Sequence, residues 1–251
     1  MYYACRDYGC VDVSVNLLLV APNEVVNGDQ VRVTGRRAEH IRHVLKADVG
    51  HCLKVGILNG NVGRGEIVSI DVAHVCLKIA CTHPPPSASN IRLVLALPRP
   101  KVARRVISSA VGFGIKEIAL IGTYRVEKSY WSSPLISDAV LKETATLSLE
   151  QVRDTVMPRI TKYPRFKPFV EDVLPSFAFG TRCLVFHPGG PDGAPGACDV
   201  PTTVAIGPDG GWTEYEAAFL EQNGFDRVHL GPRIHRVETA VSAILGRLSQ
   251  V

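Results

Sequence analysis

No apolar run in the 251-residue sequence approaches the roughly eighteen residues that cross a bilayer, which argues against a membrane protein. The first twelve residues place Arg6, Asp7 and Asp12 where a secretory signal needs uninterrupted apolar side chains. Both absences predict a cytosolic protein. Cysteine pairing is missing as well. Cys5, Cys10, Cys52, Cys76, Cys81, Cys183 and Cys198 are odd in number and scattered, with no C-x-x-C pair, so neither a disulfide framework nor a bound metal is expected. Cys76, in the alternating run VCLKIAC, reads as a buried strand residue. The rest of the composition is ordinary. With 46% apolar residues, 21% charged residues and a net charge of +4, the chain is neither disordered nor collagen-like and can bury one large core or two modest ones.

Acidic residues are missing locally. Val72 to Lys116 holds no Asp or Glu but includes Lys78, Arg92, Arg99, Lys101, Arg104, Arg105 and Lys116. Thr155 to Val170 is also acid-free, with Arg159, Lys162, Arg165 and Lys167 interleaved with Tyr163, Phe166 and Phe169. Either segment alone reads as a solvated basic face. Together they point to an anionic partner such as RNA, whose phosphates basic groups neutralise and whose bases stack on aromatic rings.

Residues 1–15 show no period and read as an appended, disordered extension. From Asn16 to about Cys81 the signals are short strands, at 30–33, 52–58, 65–70 and 72–81, with Asn59-Gly60 as a hairpin turn because both residues tolerate positive φ. One helix, roughly Arg37 to Lys46, places Ile41, Val44 and Leu45 on one face. This pattern predicts a small β-barrel over 16–83. Pro84-Pro85-Pro86-Ser87 reads as a stiff linker over 84–90. Over 91–251, strands at 91–98, 117–122, 183–188, 202–207 and 227–230 alternate with helices near Val102–Val111, from Glu214 and from Val237. Such alternation predicts an α/β domain with a parallel sheet.

Three loops follow the carboxyl ends of these strands, where ligands bind in open α/β sheets. They are Phe186-His187-Pro188-Gly189-Gly190, Gly207-Pro208-Asp209-Gly210-Gly211 and Leu230-Gly231-Pro232-Arg233-Ile234-His235-Arg236. Thr213 and Glu216 form a capping box that aims a helix N-terminus at the second loop. That loop has neither the Gly-Lys-Ser/Thr ending of a P-loop nor G-x-G-x-x-G spacing, and reads equally as a tight turn or a ligand site. Arg233 and Arg236 oppose the dipole of the helix they precede, so an anion or a structural partner must justify them. His187 reads equally as a structural residue or a ligand contact. The stripe Val237, Ala240, Val241, Ile244, Leu245 and Leu248 reads as core.

IGPDGGWTEYE (206–216) followed by LGPRIHRVETA (230–240) resembles the paired signature of the ribosomal small-subunit RNA uridine-N3 methyltransferases, a family of the SPOUT class. Supporting likeness runs through His40-Ile41-x-His43-Val44-Leu45-Lys46 with Val49-Gly50, Asn59-Gly60, Glu150-Gln151-x-Arg153 with Pro158, and Phe186-His187-Pro188. The chain departs from the family pattern at Asp209, His235, Val237 and Lys46, and lacks the usual Lys and Glu-Leu-Gly near Gly114-Ile115.

The resemblance implies a PUA-like RNA-binding barrel followed by a SPOUT-type parallel sheet with a C-terminal trefoil knot, working as a homodimer. It implies S-adenosyl-L-methionine as methyl donor and, as substrate, a uridine of 16S rRNA in the small ribosomal subunit, conventionally numbered 1498. The implied donor-binding residues are Phe186, His187, Pro188, Gly207, Pro208, Gly210, Gly211, Leu230, Gly231, Ile234, Arg236 and Ala240. Arg236 and then Arg153 are the implied catalytic candidates. The RNA-contact candidates are Arg36, Arg37, Arg42, Lys46, Arg99, Lys101 and Arg104. Two rival readings are a catalytically inert RNA-binding protein of the same fold, and a nucleotide hydrolase using GPDGG as an anion loop. The hydrolase ranks last for want of a P-loop lysine and a carboxylate cluster.

Overall fold

Alternating β-branched residues build the strands of the first unit, and their inward side chains are its core. The computed structural model describes residues 16–197 and 199–249; the expected extension over 1–15 lies outside the described residues. The chain divides into two compact units. The first comprises residues up to 86 together with Leu149–Met157, and the second comprises 87–148 and 158–251.

In the first unit the strands are β1 (Leu18–Val20), β2 (Val25–Val26), β3 (Gln30–Thr34), β4 (Cys52–Ile57), β5 (Val62–Ile70) and β6 (His74–His83). They form one sheet in the order β1-β4-β5-β6-β3-β2, antiparallel except for the β1–β4 pair. Val31, Val33, Leu53, Val55, Ile67, Val75, Leu77 and Ile79 pack together with Ile41. Because Val75, Leu77 and Ile79 point inward, pleat alternation puts Cys76 on the opposite face, where it is half-buried rather than buried. Cys52 is disulfide-bonded, a pairing that spacing along the chain gives no way to see. At the β4–β5 turn only Asn59 adopts positive φ, at 59°, and its side-chain oxygen accepts the N–H of Met157 at 2.9 Å.

Helix α1 (Gly35–Glu39) runs into a π-helical turn over His40–Val44. The wider turn breaks the 3.6-residue period, so Ile41 is buried while Val44, expected on the same face, is 65% exposed. Lys46 stops the helix with a φ of 48°.

The second unit carries an all-parallel sheet of β7 (Ile91–Ala96), β8 (Glu117–Ile121), β9 (Arg159–Tyr163), β10 (Arg182–Phe186), β11 (Asp192–Gly193), β12 (Thr202–Ile206) and β13 (Asp226–His229), ordered β11-β13-β10-β12-β7-β8-β9. Its helices are α2 (Pro100–Gly112), α3 (Asp138–Val152, whose end from Leu149 onward belongs to the first unit), the short α4 (Phe166–Pro168) and α5 (Leu174–Phe177), α6 (Glu214–Gln222) and α7 (Val237–Leu248). Every residue of β12 is buried, as expected of a strand covered on both faces. The stripe Val237, Val241, Ile244, Leu245 and Leu248 of α7 is buried, and α7 packs on α2. No helix among the described residues is long and apolar enough to cross a membrane.

The sequence reading leaves out α3 and β9. The segment Leu149–Met157 belongs with the first unit, where Glu150 O accepts the N–H of Leu17 at 2.8 Å and Thr155 O accepts that of Asn59 at 2.8 Å.

Candidate active site

Strands β13, β10 and β12 are neighbours, so the loops leaving their carboxyl ends converge. Together with the chain after β8 they enclose a cavity of about 430 Å³. Its apolar wall is Ile206, Leu230, Ile234, Ala240 and Ile244, and Trp212 closes one side. The turn Pro208–Gly211 is pinned by the Gly211 N–H donating to Pro208 O at 2.8 Å, with Gly211 at φ 71°. Gly231 adopts φ 115°, which only glycine takes without strain, and an added Cβ there would meet nothing within 4 Å. Its N–H donates to His229 Nδ1 at 2.8 Å.

Helix α6 starts as the capping box expects. Thr213 Oγ1 accepts the Glu216 N–H at 3.2 Å, and the Glu216 carboxylate accepts the Thr213 N–H at 2.9 Å. Glu216 is buried, and its other oxygen accepts the Tyr124 N–H at 2.7 Å, tying the chain after β8 to the helix start. Arg125 then reaches across the glycine loop, donating to Gly210 O and, at 3.2 Å, to Trp212 O. The Trp212 indole N–H is buried with no hydrogen-bond partner among the described residues. His187 accepts the Gly189 N–H on Nδ1 at 3.0 Å. Burial, followed by the nearby Arg227 charge, holds the His187 imidazole below its ordinary pKa, so the ring is neutral at pH 7.

Phe186, His187, Pro188, Gly207, Pro208, Gly210, Gly211, Leu230, Gly231, Ile234 and Ala240 all line this cavity. Arg236 does not: it is the N-cap residue of α7, with its side chain exposed and making no cap bond. Arg153, at φ 59°, belongs to the first unit and is absent from the cavity wall. Arg125, Trp212, Asp209, Arg233 and His235 line the cavity as well. Asp209, Arg233 and His235 stand inside the motifs already singled out, but Arg125 lies in an unremarkable loop that no spacing marks.

The basic candidates separate by what holds them. Arg37 is mostly buried, with both terminal nitrogens on Glu24 and one also on Leu19 O, so it braces the first unit. Arg42 spans to the Asp71 and Val72 carbonyls. Arg104 donates to Thr144 at 3.3 Å. Arg36 pairs with Glu150 at 3.2 Å yet stays 60% exposed, and Arg99 lies 3.8 Å from Asp209. Lys46 and Lys101 are exposed. The aromatic side chains of 155–170 are not free for bases as expected: Phe169 is buried, Tyr163 packs on it at 5.0 Å, and Phe166 packs on Trp212 and Phe219. No cluster of metal-ligating side chains occurs among the described residues.

Residues 85–249 match the family model described as an RNA methyltransferase domain. The ribosomal RNA small subunit methyltransferase E of Treponema pallidum is 30% identical over 239 residues, covering 91% of this chain and 88% of that protein. A protein of the same name from Synechocystis is 24% identical, covering 92% of this chain and 76% of its own. A crystal structure of a ribosomal RNA small subunit methyltransferase E from Neisseria gonorrhoeae bound to S-adenosyl methionine has the same fold, with a TM-score of 0.73 at 18% identity over 92% of this chain and 95% of that one. A putative Legionella pneumophila methyltransferase in complex with the same cofactor gives 0.71 at 20% identity over 92% and 96%. With its loop-walled cavity lying inside the matched region, this chain belongs to the ribosomal small-subunit methyltransferase E family of RNA methyltransferases.

Proposed function

We propose that the protein uses S-adenosylmethionine to methylate N3 of one uridine in 16S ribosomal RNA within the small subunit. The observation that carries this reading is the three-loop cavity at the sheet's carboxyl edge in a chain of this family. The residues present suit the donor. A volume of about 430 Å³ lies in the range of small-molecule sites. Ile206, Leu230, Ile234 and Ala240 offer an apolar wall for a nucleobase, and glycines without a Cβ let the polar parts approach the loop backbone. The orphaned Trp212 N–H is one further donor without a protein partner. His187 is neutral and so places no positive charge beside a cationic ligand.

When bound, the donor supplies a methyl group already activated by its sulfonium. What this chain must do is align N3 with it and stabilise the charge that develops on the uracil oxygens as the N3 proton leaves. Arg236 supplies that stabilisation, because its guanidinium is always charged, carries several donors, and is exposed with no cap bond where the third loop enters α7. Arg153 positions phosphate or base. Exposed Lys46, Arg36, Arg99 and Lys101 are the RNA contacts best placed to act, since Arg37 is consumed internally.

The finer architecture completes the reading. The C-terminal chain is threaded into a trefoil knot, the first unit is a PUA-like RNA-binding barrel, and the working form is a cytosolic homodimer. Mass spectrometry of ribosomal RNA from cells lacking the gene tests the reaction. A missing N3-methyluridine, restored by the gene, is expected. A full complement of that base would leave an inert RNA-binding scaffold as the better description.

A further inference from the structure

Next to the donor cavity lies a second one, of about 600 Å³, that the reaction as described does not use. The same two stretches of chain wall both. Arg125 lines the donor cavity while its neighbour Tyr124 lines the second, and Trp212 and Thr213 divide in the same way. Phe166 forms part of the second cavity and packs on Trp212 with ring centroids 6.2 Å apart, so an aromatic partition separates the two.

The lining has an unusual mix. Tyr124 is 86% exposed and Tyr215 is 62% exposed, far more than a side chain of that size held in a core. Tyr215 is stacked on Phe219 at 5.8 Å with 8° between the planes, which fixes its ring orientation. Arg165 and Lys167 come from the acid-free segment and are exposed, although Lys167 also lies 3.5 Å from Glu171. Thr123 Oγ1 is buried with no hydrogen-bond partner among the described residues. Among the described residues Glu216 is the one carboxylate in the lining, and its oxygens are spent on the Tyr124 and Thr213 donors.

We propose that this second cavity binds one unpaired nucleotide of the RNA substrate next to the target uridine, its base on Tyr124 and Tyr215 and its phosphate at Arg165 and Lys167. The inference rests on the function proposed above and extends it from the reacting base to its neighbour. Aromatic rings accept any base face, and the basic pair supplies the charge complementarity. The unpartnered Thr123 hydroxyl is available to a base edge. The shared walls place the neighbour's site one residue away from the donor's along both chain segments.

The test uses the full chain and three measurements: affinity for a short single-stranded oligouridylate, donor affinity by calorimetry, and methylation of small-subunit RNA. Tyr124→Ala and Tyr215→Ala should each weaken oligouridylate binding about tenfold, as for loss of one stacked base, while Tyr124→Phe and Tyr215→Phe restore it. Arg165→Gln should lower the salt dependence of binding by about 0.7 in log–log slope. Donor affinity should stay within about twofold in all of them, because Tyr124 supports Glu216 through its backbone N–H, which these changes keep. If the wild type methylates RNA but the alanine variants bind oligouridylate unchanged, the second site is wrong and the function stands. If the wild type neither binds donor nor methylates, the function itself fails and this inference with it. Tyrosine variants that alter the sedimentation of the protein while sparing RNA affinity would make the cavity a contact between copies of this chain, and overturn the proposal.

Discussion

Arg236 stands at the N-cap of α7 with an exposed side chain that makes no cap bond, so truncating it should cost the fold little. That position separates a catalytic role from a bracing one. Arg236→Ala should lower single-turnover methylation by about a hundredfold, the scale for losing one donor to a developing oxyanion, with melting temperature and donor affinity nearly unchanged. Arg236→Lys keeps the charge but not the planar fork, and should not rescue the rate. A normal rate in Arg236→Ala would remove it from the mechanism. His187 gives a second test, through pH. Its folded pKa lies below the ordinary 6.5, so the folded protein binds fewer protons than the unfolded chain just below that value. The stability it contributes is therefore complete above pH 6.5 and lost as pH falls through the folded pKa. His187→Gln should flatten the acid limb of a stability–pH curve, and should also make donor affinity less sensitive to acid. An unchanged acid limb would mean that another group controls it.

At the scale of elements, the start of α6 is where the sequence was most readable. A Thr and a Glu three residues apart announce a capping box, and Thr213 and Glu216 make both of its bonds. The sequence could not show that buried Glu216 also holds the Tyr124 N–H from a loop about ninety residues earlier. That extra bond makes the two residues unequal. Thr213→Ala should destabilise the protein by about 1 kcal/mol, as for an ordinary N-cap, whereas Glu216→Ala strands two backbone donors and should cost about 3 kcal/mol by urea denaturation. Equal losses would show that the Tyr124 bond adds nothing. Elsewhere legibility follows how cleanly a period is kept. The all-apolar β12 and the α7 stripe are plain in the sequence. Helix α3 is not, because its buried face mixes Leu141, Ala145 and Leu149 with Thr144 and Ser148. The π-turn at His40–Val44 misleads for the opposite reason: the apolar residues are there, but the extra residue per turn sends Val44 to solvent. Arg125 could not be found by pattern, since its place on the three-loop cavity is set by hydrogen bonds to Gly210 and Trp212, far from it in sequence.

Across the whole molecule, the three-loop cavity lies entirely within the second unit, and so do both tryptophans, Trp131 and Trp212. Tryptophan emission therefore follows that unit alone, and Trp212 also reports on the cavity it closes. A ligand that binds only the folded form stabilises it by about 2.7 kcal/mol at a hundred times its Kd. Saturating S-adenosylmethionine, or its demethylated product, should raise the denaturation midpoint read by tryptophan and slow amide exchange in β10 and β12. Exchange in β5 and β6, which belong to the other unit, should change much less. The first unit is not one continuous stretch of chain, because Leu149–Met157 returns to it and Thr155 is fully buried there. A cut at residue 84 would remove Leu17, Asn59 and Gly60, to which this segment bonds, so domain roles are better separated by point substitutions in the intact protein than by truncation. Donor-induced protection spread equally over both units would mean that they unfold as one. A tryptophan midpoint that saturating donor does not move would place the donor somewhere other than the three loops.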